Sequence, residues 1–214
     1  MTLIAVIDYD TGNLHSICKG LESVGGTPEI TDSPLKIEKS DAIVLPGVGS
    51  FDPAVQQIRR RHLEKPIKAA IANGKPFLGI CLGLQILFDS SEEGQESGLG
   101  IIPGTVRRFR SEPNITIPHM GWNQLDFTQS DHFLWQGLDA HPYVYFVHSY
   151  YADPLDSHLT AATVRHGSQT VTAAIARDRL MAVQFHPEKS STNGLKILAN
   201  FVEQANQKNV QGQR

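Results

Sequence analysis

The sequence predicts an α/β fold: a mostly parallel central sheet flanked by helices on both faces, with additional antiparallel strands. Three observations lead there. Short apolar runs alternate with helix-period segments through the first half of the chain. Those runs are continuously apolar rather than apolar at every second residue, as strands covered on both faces must be. Beyond residue 100, strand-like segments follow one another with little helix between them, which adds antiparallel strands or hairpins on one side of the main sheet.

The elements can be taken in order. "LIAVID" (residues 3–8) reads as the first buried strand. It meets Asp8 too soon for the apolar core of a signal peptide and lacks a basic flank. "NLHSICKGLESVG" follows as a helix with Leu14, Ile17, Cys18, Leu21 and Val24 on one face, so Cys18 reads as core. "DAIVLPG" is a strand, succeeded by a helix opening near Pro53, and "KPFLGI" is the third clear strand. "LGLQILFDS" reads as a helix and the polar "SSEEGQESGLG" as a loop. "TVRRF", "YVYFVHSYY", "QTVTAAIA" and "LMAVQF" are the later strands, and "TNGLKILANFVEQA" is a closing helix. Residues 1–206 are thus expected to form one domain, with 207–214 a polar, frayed tail.

Bulk properties exclude several classes. The 214 residues are 40% hydrophobic and 19% charged, which suits an ordinary globular core, and the formal charge of −3 argues against nucleic acid as a partner. Arg59-Arg60-Arg61 reads as a solvated helix face. Two cysteines are too few for a disulfide framework, and no apolar run approaches the roughly 20 residues of a membrane span. A soluble cytoplasmic protein is expected. None of the nine histidines falls in a metal-ligand pattern, and His15, His62, His132, His141, His158 and His166 look dispersed, so no metal is expected.

Chemistry concentrates at three strand ends. In "GICLG", Cys81 occupies the nucleophile position of the G-x-S-x-G elbow. A nucleophile on a strand-to-helix turn adopts strained angles and packs against its neighbours, which explains Gly79 and Gly83. The start of the following helix also favours negative charge at the sulfur. The alternative is a small buried hydrophobe at a tight crossing. "AVQFHPEKS" supplies a base, His186, and an orienting carboxylate, Glu188. An extended chain through Pro187 would project both to one side. The alternative there is a surface turn holding a common His-Pro pair. "LPGVGSF" supplies a glycine-flanked loop whose Val48 or Gly49 amide could join that of Leu82 around an oxyanion. The alternative is an ordinary strand-to-helix connection.

Together "PGVG", "GICLGLQ", "YFVHSY" and "QFHPEKS", in that order, resemble the class I glutamine amidotransferase family of the Cys-His-Glu type. The resemblance implies that fold, Cys81 as nucleophile, His186 as acid and base, and Glu188 as its orienting carboxylate. It further implies that Gln85 and the backbone around His148, Ser149 and Tyr150 hold glutamine, and it implies no cofactor. "DYDTGNLHS", "IPHMGWNQL" and Leu84 of "CLGLQ" are similar to the branch that serves imidazole glycerol phosphate synthase in histidine biosynthesis. That branch implies a separate cyclase partner of (β/α)8 barrel fold in a heterodimer. Asn13 and Trp122 are the expected interface residues, Trp122 as an aromatic anchor; a core tryptophan is the alternative.

Overall fold

The computed structural model describes residues 2–10 and 13–211, the side chains of 208–211 excepted. Thr11 and Gly12 of "DYDTGNLHS", and 212–214 of the expected tail, lie outside the described residues.

The elements run β1 (Thr2–Ile7), α1 (Leu14–Ser23), β2 (Gly26–Thr31), α2 (Pro34–Lys39), β3 (Ala42–Gly47), α3 (Phe51–Arg60), α4 (Glu64–Ala72) and β4 (Phe77–Cys81). Then come α5 (Leu82–Gln85), β5 (Phe88–Ser91), β6 (Ile102–Arg108), β7 (His119–Gln124), β8 (Asp126–Phe127), β9 (Tyr143–His148) and β10 (Tyr150–Pro154). β11 (Thr160–His166), β12 (Gln169–Arg177), β13 (Leu180–Val183) and α6 (Ser191–Gln211) complete the chain. The main sheet is ordered β2-β1-β3-β4-β13-β12-β10-β6-β5, with β11 and β8 attached beyond β12. Strands β2, β1, β3, β4 and β13 are parallel neighbours, whereas β12 and β10 pair antiparallel.

Strand alternation divides the core. Ile4, Val6, Leu78 and Ile80 point to one face, where α1 and α6 bring Ile17, Leu21, Leu198 and Phe201. Ala5, Ile7, Ile43 and Leu45 point to the other, where α3 and α4 bring Phe51, Val55, Ile58 and Ile67. Both faces are dry, which is why these strands are apolar at every position. Cys18 is only partly buried, packed against the first of these faces.

Four departures from the sequence reading have physical causes. "LGLQILFDS" holds one short helix and then β5, which pairs parallel to β6. A short, fully buried apolar run has no periodicity that separates helix from strand. "YVYFVHSYY" is two strands: β9 pairs with β7 in a separate two-stranded sheet, and after Ser149 the chain crosses to pair β10 with β6. The closing helix continues through Gln211, with no glycine or proline between Gly194 and Gly212 to stop it. Finally, the arginine run is not simply solvated: Arg59 pairs with Glu64 and Glu96, and Arg61 with Asp10 and Asp32. No helix among the described residues is long and apolar enough to cross a membrane.

Candidate active site

Parallel register brings three chain reversals to one edge of the sheet. Gly47 lies opposite Cys81, and Val183 opposite Ile80, so the segments leaving β3, β4 and β13 emerge together at the carboxyl ends. A cavity of about 280 Å³ opens there. Val48, Gly49, Cys81, Leu82, Gln85 and His186 line it from these segments and α5. The β9-to-β10 crossing contributes His148, Ser149 and Tyr150. Nine of the residues singled out from sequence therefore share one cavity, and Glu188 lies directly behind His186.

Cys81 ends β4 with φ of 56° and ψ of −111°, a left-handed conformation that a side-chain-bearing residue rarely holds. The flanking glycines explain how it is accommodated. A Cβ on Gly79 would stand 2.9 Å from the Ala182 Cβ, and one on Gly83 would run into the Leu45 carbonyl. The two glycines let α5 and β3 close around the turn, and the sulfur is left facing the cavity with Cys81 itself 8% exposed.

His186 is extended, but the chain does not stay extended through Pro187: Pro187–Lys189 form a single 3-10 turn. The turn still directs the two side chains together, with His186 Nδ1 2.9 Å from Glu188 Oε1 and both side chains nearly inaccessible. Two bonds fix its frame, as the Ser190 hydroxyl donates to the His186 carbonyl and the Tyr145 N–H donates to Ser190 Oγ. Burial alone would depress His186, but Cys81 and Glu188 beside the ring push it up to about 9. With Glu188 accepting from Nδ1–H, the Nε2 edge has no other hydrogen-bond partner among the described residues and is left to the sulfur.

The two glycines of the loop after β3 are there for different reasons. Gly49 has φ of 101° with nothing near a would-be side chain, so its backbone has room to turn. Gly47, by contrast, is glycine because a Cβ there would strike the Tyr9 hydroxyl, which donates to the Pro46 carbonyl.

Several participants are absent from the sequence reading. Glu93, Pro118 and Val147 also line the cavity, Glu93 accepting from the Phe51 N–H at its rim. Glu93 sits in a loop with no motif to mark it. Gln184, two residues before His186, is fully buried and reaches the sulfur. His148 is one end of a histidine chain: its Nδ1 meets the Tyr150 carbonyl at 2.8 Å, its Nε2 meets His119 Nδ1 at 3.0 Å, and His119 Nε2 meets Asn123 Nδ2 at 3.0 Å. Burial lowers His148 to about 3 and His119 to about 4, so both stay neutral. His166, isolated in sequence, stacks on His119 at 4.3 Å. No group of His, Cys, Asp or Glu placed to hold a metal occurs among the described residues. Trp122 is about half exposed on β7, edge-on to Tyr145, and Asn13 is exposed at the start of α1.

A thiol on a strained turn beside a buried imidazole–carboxylate pair in one cavity, on a doubly covered α/β sheet, is an arrangement suited to cysteine-dependent amide hydrolysis. The chain belongs to the class-I glutamine amidotransferase family, whose sequence profile matches residues 5–205. Its relatives narrow the branch. It is 88% identical over 204 residues to the imidazole glycerol phosphate synthase subunit HisH of Microcystis aeruginosa, covering 95% of this chain and 96% of that one. It is 70% identical over 210 residues to the subunit of the same name from Trichodesmium erythraeum, covering 98% of each. Solved structures agree on the fold. The glutaminase domain of Trypanosoma brucei CTPS with bound acivicin superimposes with a TM-score of 0.71 at 17% identity, over 97% of this chain and 94% of that one. A chain of PurLQS from Thermotoga maritima gives 0.73 at 18%, over 95% and 99%.

Proposed function

We infer that this protein is the glutaminase subunit of an imidazole glycerol phosphate synthase, releasing ammonia from glutamine for a cyclase partner in histidine biosynthesis. The observation that carries the chemistry is the strained Cys81 turn sharing one cavity with the buried His186–Glu188 pair.

The Cys81 thiolate attacks the side-chain carboxamide of glutamine. The Leu82 N–H and that of Val48 or Gly49 stabilise the oxyanion. His186, protonated at neutral pH, gives its proton to the departing ammonia, and Glu188 holds the ring so that Nε2 faces the sulfur. Water activated by His186 then hydrolyses the glutamyl thioester to glutamate. Gln85 and the His148–Tyr150 segment bind the amino acid portion. With both hydrogens of Gln85 Nε2 already donated, to Tyr150 O and Gln184 Oε1, its free Oε1 suits an ammonium group.

The partner is a (β/α)8-barrel cyclase in a cytoplasmic heterodimer, and residues 1–206 form the single amidotransferase domain. Ammonia passes to it uncharged and is used to make imidazole glycerol phosphate and aminoimidazole carboxamide ribonucleotide. Asn13 and the exposed Trp122 meet the partner. The test is glutamate release by the reconstituted pair with and without the partner's ribonucleotide ligand. Strong activation by the ligand, abolished in Cys81→Ala, supports the assignment; an unresponsive rate with partner bound refutes it.

A further inference from the structure

Gln184 follows β13 and its side chain is fully buried, in a place where an apolar residue would satisfy packing alone. Its Nε2 stands 3.7 Å from Cys81 Sγ, and its Oε1 accepts from Gln85 Nε2 at 3.0 Å. Gln85 Nε2 also donates to the Tyr150 carbonyl at 3.2 Å. These bonds set both amide orientations without ambiguity. The Tyr150 carbonyl can only accept, so Gln85 must turn its NH2 group towards it and towards Gln184. Gln184 must then present its oxygen to Gln85, which leaves its NH2 group for the sulfur. A backbone carbonyl thus dictates, through two side-chain amides, that a hydrogen-bond donor faces Cys81. The same carbonyl also meets His148 Nδ1, so this chain is anchored at the β9-to-β10 crossing.

We propose that Gln184 is a further catalytic residue: it donates an N–H to the Cys81 sulfur, favouring the thiolate and fixing the direction in which it points. The proposal rests on Cys81 being the nucleophile. A buried donor is worth most against an ionised acceptor, because the thiol form accepts only weakly. The hydrogen bond therefore discriminates between protonation states, as a packing contact does not. Gln85, which faces the substrate, sets the orientation of Gln184, so an occupied glutamine site and an aimed sulfur reinforce one another.

The test uses the complex with its cyclase partner, in a Cys18→Ala background, with alkylation read on the peptide that carries Cys81 by mass spectrometry. The rate of alkylation by iodoacetamide is followed from pH 5 to 10 for wild type, Gln184→Met and Gln184→Leu. Methionine matches the length of glutamine with no donor, and leucine guards against a methionine-specific repacking effect. Both variants should move the alkylation midpoint up by about one pH unit, slowing the reaction about tenfold on the acid side. Glutaminase kcat should fall, and KM for glutamine should rise with it, because Gln85 loses the acceptor that orients it. A midpoint that stays in place in either folded variant overturns the proposal, even if kcat falls. Glutaminase activity surviving in Cys81→Ala would instead overturn the underlying assignment of the nucleophile.

Discussion

Replacing Glu188 with glutamine keeps the size and removes the charge facing His186 Nδ1. The two side chains are 2% and 3% exposed, so solvent does little to screen the loss. His186 rises from 6.5 to about 9, against the effect of burial, through Cys81 and Glu188. That shift corresponds to about 3 kcal/mol favouring the imidazolium, shared between the two partners. A hydrogen bond to a charged group contributes about 1.5–3 kcal/mol, so losing the carboxylate should lower the His186 midpoint by roughly one to two pH units. The sign for stability follows from the raised value. The contribution is fully present below about pH 6.5 and is lost as pH rises through about 9. Glu188→Gln should therefore destabilise the protein at pH 6 and converge on wild type above pH 9. The effect on turnover is larger, because a neutral amide no longer stabilises the imidazolium that stands opposite the thiolate, nor keeps Nδ1 protonated when Nε2 gives up its proton and must take one back. About 10²- to 10⁴-fold of kcat should be lost. The assay is glutamate release at saturating glutamine from pH 6 to 10 with partner and ligand present, together with NMR titration of the His186 ring. Near-wild-type turnover with a midpoint still close to 9 would rule out Glu188 as the group that holds and charges His186.

Other perturbations test separate links. Gly83→Ala drives a Cβ into the Leu45 carbonyl and should cost about 3 kcal/mol or more in denaturant unfolding, with slowed alkylation of Cys81; a neutral effect would mean α5 is not held against β3. Trp122→Ala should weaken partner binding by about 2 kcal/mol, roughly thirtyfold in Kd by calorimetry, with intrinsic folding stability unchanged. His148 and His119 sit below their ordinary value, so their neutral forms add stability that is present above about pH 6.5 and lost as pH falls through about 4 and then 3. His119→Gln should accordingly flatten unfolding stability against pH between 6.5 and 4.

What could be read from the sequence was whatever depends on local spacing. Gly79 and Gly83 flank Cys81 because the backbone around it is crowded, and that crowding leaves a trace two residues away on each side. His186 and Glu188 fall two apart on one turn, so their pairing is visible too, although the turn is 3-10 rather than extended. What depends on long-range pairing was hidden. His119 meets His148 only because β7 and β9 align in register, and no pattern around either residue announces it. β2 escaped because Gly26–Thr31 is half-buried and carries a proline, and β5 escaped because only two residues separate Phe88 from a one-turn helix, in a buried apolar stretch broken only by Gln85. Gln184 could have been suspected, since a glutamine directly after the apolar strand β13 and two residues before His186 needs buried partners. Glu93 had no such signal.

If Cys81 is the group that attacks glutamine, a covalent label will find it. The protein with its partner and ligand would be treated with a glutamine-like electrophile and the adduct located by peptide mass spectrometry. Cys18 is the internal control: partly buried on α1, its thiol is pushed up by burial and by the Glu22 charge. One adduct per chain is expected, on Cys81, formed in step with loss of glutaminase activity, prevented by glutamine and slowed in Glu188→Gln. Labelling confined to Cys18, or full inactivation with Cys81 unmodified, would contradict it.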